Sequence, residues 1–167
     1  MADKWCNFWH ERRQFSGELR KKTSPAANCP AVYSYLRYNS FSMSYPENLR
    51  YTKDHEWIAL DGNTATIGIT DFAQRELGDI VYVEVETIGK KLNAGDVFGT
   101  VEAVKTVSDL FLPVNGTILE LNPDLANTPE LVNNDPYGKG WMIKMAVDNP
   151  ADVNGLLDAK GYEAVAG

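Results

Sequence analysis

The stretch Gly99-Thr100-Val101-Glu102-Ala103-Val104-Lys105-Thr106-Val107-Ser108-Asp109-Leu110 decides how the rest of the chain is read. Two runs rich in apolar and β-branched residues, 97–104 and 106–112, flank one lysine, and such side chains favour the pleated, half-buried surface of a sheet. No Gly, Asn or Pro separates the runs, so a tight hairpin is predicted with Lys105 at its tip and the amine in water. Lys91 and Lys139 are the nearest Lys or Arg residues, so residues 92–138 hold a single cation. Glu102 and Asp109 lie close to it in sequence. A nucleophilic lysine needs burial or a neighbouring cation to lower its pKa, and an exposed tip beside acids supplies the opposite. On spacing alone a solubilising turn residue accounts for Lys105. If it is functional, it is an anchor for an attached group and not a catalyst, because a modifying enzyme must reach the amine.

Outward from this hairpin the chain reads as mainly β. Trp57–Leu60 and Thr64–Ile69 form a hairpin about the turn Asp61-Gly62-Asn63. Residues 71–78 read as a brief helix capped by Asp71 and stopped by Gly78. Ile80–Val85 is the next strand, with Ile80, Tyr82, Glu84 and Glu86 alternating against Val81, Val83 and Val85. Gly116–Leu121 and Trp141–Val147 are two more. Pro129 fits the first position of a short helix, and Asn149-Pro150 opens a C-terminal helical tail interrupted by Gly155 and Gly161. His55, Trp57 and Trp141 read as structural, since an aromatic at a strand start serves a core more often than a site. Gly99 and Gly116 read as sites of close backbone approach or turns. Short strands at regular spacing predict a small sandwich or barrel.

The residue inventory narrows the chemistry. The 167 residues are 44% hydrophobic and 23% charged, ordinary for one globular domain. No apolar run approaches the roughly 18 residues of a membrane-spanning helix. Residues 1–42 carry seven Lys/Arg and three acids, whereas residues 43–167 carry 9 basic and 20 acidic residues. A body that acidic lacks the cations that replace phosphate counterions, so nucleic acid is not an expected partner. Cys6 and Cys29 both precede residue 43, which leaves the body without a disulfide framework, a thiol nucleophile or a zinc-thiolate site. His55 is its one histidine, and neither Ser44 nor Ser108 sits in a nucleophile elbow. No phosphate loop or dinucleotide fingerprint is present. With no metal site expected and the tools of catalysis scarce, the body reads as a binding or carrier module. Its acidity would suit steering toward basic patches on partner enzymes, although acidic solubilisation explains it equally.

Residues 1–42 read as a non-matching N-terminal extension and 43–167 as the domain. The extension is rich in Trp, Arg and Tyr and has no sustained periodicity. One reading is a mis-assigned start with Met43 the true initiator; a second is a presequence, for which three acids and two tryptophans are atypical. The first implies a bacterial cytoplasmic protein, the second a mitochondrial matrix protein.

Several stretches, in this order and spacing, resemble the H protein family of the glycine cleavage system over residues 47–166. They are Leu49-Arg50-Tyr51, His55-Glu56-Trp57, residues 65–70 with Ala73-Gln74, and Leu77-Gly78-Asp79-Ile80-Val81-Tyr82-Val83-Glu84. Val101-Glu102-Ala103-Val104-Lys105, Ser108-Asp109-Leu110, Pro113-Val114-Asn115-Gly116, Leu131-Val132-Asn133 and Pro136-Tyr137-Gly138-Lys139-Gly140-Trp141-Met142 follow. The family usually shows Glu-Ser-Val-Lys-Ala; here the segment is Glu102-Ala103-Val104-Lys105-Thr106, and the lysine is in place. The resemblance implies a barrel-sandwich hybrid of the lipoyl-domain type, with short helices and a C-terminal helical tail. It implies lipoic acid attached to Lys105 through an amide, on a protein that is a mobile substrate and not an enzyme. The arm would accept the aminomethyl group of glycine at the PLP-dependent glycine decarboxylase (P protein). It would deliver the carbon to tetrahydrofolate at the aminomethyltransferase (T protein) and be reoxidised by dihydrolipoyl dehydrogenase (L protein). A lipoate-attaching enzyme would modify Lys105, with Glu102 and Asp109 as recognition residues around it. By position, Glu56 would face the loaded arm in a surface cleft. A monomer is expected.

Two alternatives are carried alongside. Other swinging-arm carriers are the nearer one: biotin carriers typically place Met on both sides of the lysine, and classical lipoyl domains are shorter with Asp before it, whereas Val104 and Thr106 stand here. The other is an H-like protein that donates lipoyl groups elsewhere or acts as an interaction module, for which Lys105 would also be retained.

Overall fold

The computed structural model describes residues 45–166. The expectations for residues 1–42 and for Met43 as a start fall outside the described residues. Strands are β1 (Arg50–Tyr51), β2 (Glu56–Asp61), β3 (Thr64–Ile69), β4 (Ile80–Glu84), β5 (Lys91–Leu92), β6 (Val97–Ala103), β7 (Thr106–Phe111), β8 (Gly116–Leu121) and β9 (Ile143–Val147). Helices are α1 (Asp71–Leu77), α2 (Leu131–Asn134) and α3 (Ala159–Ala166), with 3-10 turns over Pro123–Ala126 and Pro150–Gly155. All pairings are antiparallel: one sheet runs β1-β2-β3-β9-β8-β5, the other β4-β6-β7.

The two sheets share one core. Ile58, Ile67, Ile118, Ile143 and Met145 come from the larger sheet, and Val83, Phe98, Val101 and Leu110 from the smaller. Strand β9 shows the governing pattern, with Ile143, Met145 and Val147 buried between partly exposed Lys144 and Ala146, the period of two expected when one face is covered. The architecture is therefore mainly β with short helices and a C-terminal helix, as expected. A second apolar cluster joins Leu49, Tyr51, Trp57 and Tyr162, and so fastens α3 to the first two strands.

Local differences from the sequence reading have identifiable causes. In β4 the alternation slips: Ile80 pairs with Ala103 but Tyr82 pairs with Glu102, a bulge that leaves Val81 and Tyr82 both exposed. An extra residue in one strand breaks a strict alternation. Thr70, not Asp71, caps α1 by accepting from the Ala73 N–H. Asp71 instead occupies the first turn, accepts from Gln74 Nε2 at 2.7 Å and pairs with Arg75 at 2.8 Å. Pro129 lies in the turn before α2, and β9 starts at Ile143, two residues later than expected. Gly155 does end a helical turn, but α3 runs through Gly161, whose N–H donates to Asp158 Oδ1 at 2.7 Å. In the first turn that N–H has no intrahelical partner, so a preceding Asp makes a glycine there tolerable.

Candidate functional site

Lys105 sits where the sequence placed it. Ala103 pairs with Thr106, so Val104 and Lys105 alone form the turn between β6 and β7. The Val104 N–H donates to the Asp79 carbonyl at 3.0 Å, which seats the tip on the segment after α1. Gly78 forms the floor. Its φ of 87° is in the left-handed region, and a Cβ built there would lie 3.2 Å from Lys105 Cε. Glycine meets both demands, a positive φ and close approach by a side chain. Asn133 holds this floor from α2. Its Nδ2 donates to Gln74 Oε1 at 2.8 Å and to the Gly78 carbonyl at 2.9 Å, and its Oδ1 accepts from the Ile80 N–H at 2.9 Å. The sequence contained Asn133 only as one letter of a matching stretch; its role depends on α2 packing against α1, which no local pattern reveals.

Lys105 is exposed, and among the described residues no ion pair joins it to Glu102 or Asp109. Both acids are exposed on the outer face of the smaller sheet. Glu102 lies between Tyr82 and Val107, and Asp109 is opposite Thr100. Apolar side chains surround the tip in solvent: Val104 is 75% exposed and Val107 61%.

Glu56 lies against the far end of that hairpin, beside Phe111. It starts β2 and is 2% exposed, yet its carboxylate borders a cleft of about 290 Å³. Thr52, Asp54, Phe111, Leu112 and Leu157 are among the lining residues. Oε1 accepts from the Phe111 N–H at 3.2 Å, and Oε2 accepts from the Thr52 hydroxyl. The Glu56 N–H in turn donates to Thr52 Oγ1 at 3.1 Å. Burial pushes the Glu56 pKa up to about 7, against the opposing pull of the Thr52 and Phe111 bonds. Desolvation also raises Asp54, with Lys53 countering. From Lys105 to Phe111 is six residues of extended chain, about 20 Å, so tip and cleft are joined by β7 and are not in contact. Thr52 and the Phe111 N–H were not read from the sequence, since strand pairing and the turn before β2 bring them to Glu56.

His55, Trp57 and the glycines behave as expected. His55 and Trp57 are buried, and Trp57 Nε1 donates to the Pro136 carbonyl at 3.0 Å. Trp141 is partly buried under Lys144, whose Nζ is 4.7 Å from the ring centre. A Cβ on Gly99 would meet the Glu84 carbonyl oxygen at 2.3 Å, and one on Gly116 the Ala146 oxygen at 2.2 Å.

Two antiparallel sheets closed over one core, with a lone exposed lysine on a two-residue turn, define the β-sandwich class typical of lipoyl carriers. Within that class the comparisons are specific. The family model for the glycine cleavage H-protein matches residues 49–166. The glycine cleavage system H protein of Bacteroides fragilis is 60% identical over 123 residues, covering 74% of this chain and 98% of that protein. Its counterpart from Chlorobium limicola is 60% identical over 127 residues, 75% and 99% of the two chains. The crystal structure of a glycine cleavage system H protein from Mycobacterium marinum superposes with a TM-score of 0.65 at 37% identity, covering 72% of this chain and 97% of that one. The chain belongs to the glycine cleavage H-protein family.

Proposed function

We propose that this protein is the lipoylated carrier of a glycine cleavage system, non-catalytic in itself, with lipoic acid in amide linkage on Lys105. It would move the aminomethyl carbon of glycine from the glycine decarboxylase to the aminomethyltransferase, with dihydrolipoyl dehydrogenase restoring the oxidised form. The observation that carries this reading is the placement of Lys105: alone among cations on its hairpin, exposed, and set on a two-residue turn over Gly78. Those features suit an attachment site, since a modifying enzyme can reach the amine and the rigid turn fixes where it is presented.

When bound, the lipoyl group supplies a disulfide that accepts the aminomethyl carbon and later yields it to tetrahydrofolate. The chain's own contribution is presentation and shelter. Glu102 and Asp109 offer carboxylates on the outer face flanking the tip, suited to recognition by the lipoate-attaching enzyme. Glu56 offers a carboxylate at the cleft, where an amine cation would form a charge-assisted hydrogen bond. An approaching cation favours the ionised form of a carboxyl whose pKa is near neutrality, so Glu56 would ionise as the cation enters. One acceptor site on each oxygen is already taken, Oε2 by the Thr52 hydroxyl and Oε1 by the Phe111 N–H, which fixes the direction of the carboxylate and leaves lone pairs for the cation. Turnover on partner enzymes in a bacterial cytoplasm, by a monomer, completes the reading.

The test is mass spectrometry after expression in a lipoylating host. Trypsin cuts at free Lys105, whereas a lipoylated residue leaves an uncut 92–139 peptide heavier by one lipoyl group. Unmodified Lys105 in a host whose lipoylation machinery is active would overturn the proposal and favour an interaction module.

A further inference from the structure

The cleft wall and the backbone that carries Glu56 are both tied to the C-terminal helix. Tyr51 in β1 exchanges two backbone hydrogen bonds with Leu157, at 2.9 and 3.0 Å, which brings Leu157 to the cleft. One turn into α3, Tyr162 is fully buried and stacks on Tyr51 with ring centres 4.8 Å apart and planes 16° from parallel. Its hydroxyl hydrogen-bonds with His55 Nδ1 at 2.7 Å and with Thr70 Oγ1 at 2.8 Å. One phenol therefore joins the residue before Glu56 to the cap of α1.

His55 has a φ of 72°, the one positive value outside glycine among the described residues. Such a conformation persists in a non-glycine residue only when the surroundings over-determine it. The surroundings here are named: the Tyr162 hydroxyl on the ring, the Thr70 N–H on the His55 carbonyl at 3.0 Å, and Phe72 against the imidazole at 4.8 Å. Because the next residue is Glu56, the turn at His55 sets the direction in which that side chain leaves the backbone.

We propose that Tyr162 is a positioning residue for Glu56: by bonding both His55 and Thr70, its hydroxyl holds the left-handed turn that aims the Glu56 carboxylate at the cleft. Tyr162 backs the cleft wall through Tyr51 but does not itself line the cleft, and it acts on Glu56 through His55. The consequence for an attached arm rests on the carrier reading above; the placement of Glu56 does not.

The test compares wild type with Tyr162→Phe in the full lipoate-free chain. Phenylalanine keeps the stacked ring and removes only the hydroxyl. The Glu56 side-chain carboxyl is followed by carbon NMR as pH is varied. The expected wild-type midpoint is near 7. With the turn released, Glu56 gains solvent, and the variant's midpoint is expected to fall by about one unit toward the ordinary glutamate value. A stable, folded Tyr162→Phe with an unchanged Glu56 midpoint overturns the proposal, because a purely structural tyrosine would change the melting temperature and not this titration. If Tyr162→Phe does not fold, His55→Gly serves in its place: glycine adopts the left-handed backbone without a Cβ penalty and leaves no side chain to bond the phenol. The same fall in midpoint supports the proposal, and its absence refutes it. In parallel, lipoylated and loaded protein is assayed for loss of the carried group, which should be faster in Tyr162→Phe. A shifted Glu56 midpoint with an unchanged lifetime of the carried group would support the positioning role and refute the assignment of Glu56 to the arm.

Discussion

Glu56→Gln should make the protein more stable at neutral pH, and the gain should disappear in acid. Glu56 is 2% exposed, and burial raises its pKa from 4.5 to about 7. Between those values the folded protein keeps a proton that the unfolded chain has released, so stability contributed at this site declines as pH rises from 4.5 to 7. A gap of about 2.5 pH units at roughly 1.36 kcal/mol each gives a total of about 3 kcal/mol. Glutamine has nearly the same shape, can accept from the Phe111 N–H and can donate to Thr52, but never ionises. Urea unfolding of both proteins at pH 5, 6, 7 and 8, followed by circular dichroism, isolates the site because every other titrating group cancels in the difference. The stability of Glu56→Gln minus that of wild type should increase by about 2 to 3 kcal/mol from pH 5 to pH 8. A difference that stays constant across that range would show that Glu56 is not held in a desolvating environment, and the argument about its carboxylate would fall. The same substitution should shorten the lifetime of a carried group on the arm, so stability and function would change in opposite directions, as expected when a charge is kept buried for use.

Three further outcomes follow from the geometry. Lys105→Arg should abolish lipoylation and glycine cleavage while leaving the circular dichroism spectrum and melting temperature unchanged, since the tip is exposed; unfolding would contradict its surface placement. Gly99→Ala should destabilise by more than about 2 kcal/mol in urea unfolding, because its Cβ would meet the Glu84 carbonyl oxygen at 2.3 Å and force β4 from β6. The acidic body should make the apparent affinity for the decarboxylase weaken as salt is added in a turnover assay, and a flat salt profile would eliminate electrostatic steering.

The hairpin about Lys105 was legible in the sequence because every signal for it is local: β-branched runs, no loop-forming residue between them, and one cation. The β2–β3 hairpin and the stop at Gly78 were legible for the same reason. Local signals also misled. Asp71 and Thr70 are both good caps, and only the path of the chain entering α1 chose Thr70. Gly161 marks a helix break unless a side chain such as Asp158 serves its N–H.

The acidic charge balance, the scarcity of catalytic side chains, the lone lysine and the family pattern are properties of residue type and spacing, and the sequence by itself determined them. The environment of Glu56 is not such a property. Its burial, its bond from the Phe111 N–H, the floor that Asn133 builds under Lys105 and the Tyr162 bridge to His55 join residues 53 to 107 positions apart. The pKa of a carboxyl depends on the solvent and donors around it, and these were decided only when the sheets closed and α3 docked on β1 and β2.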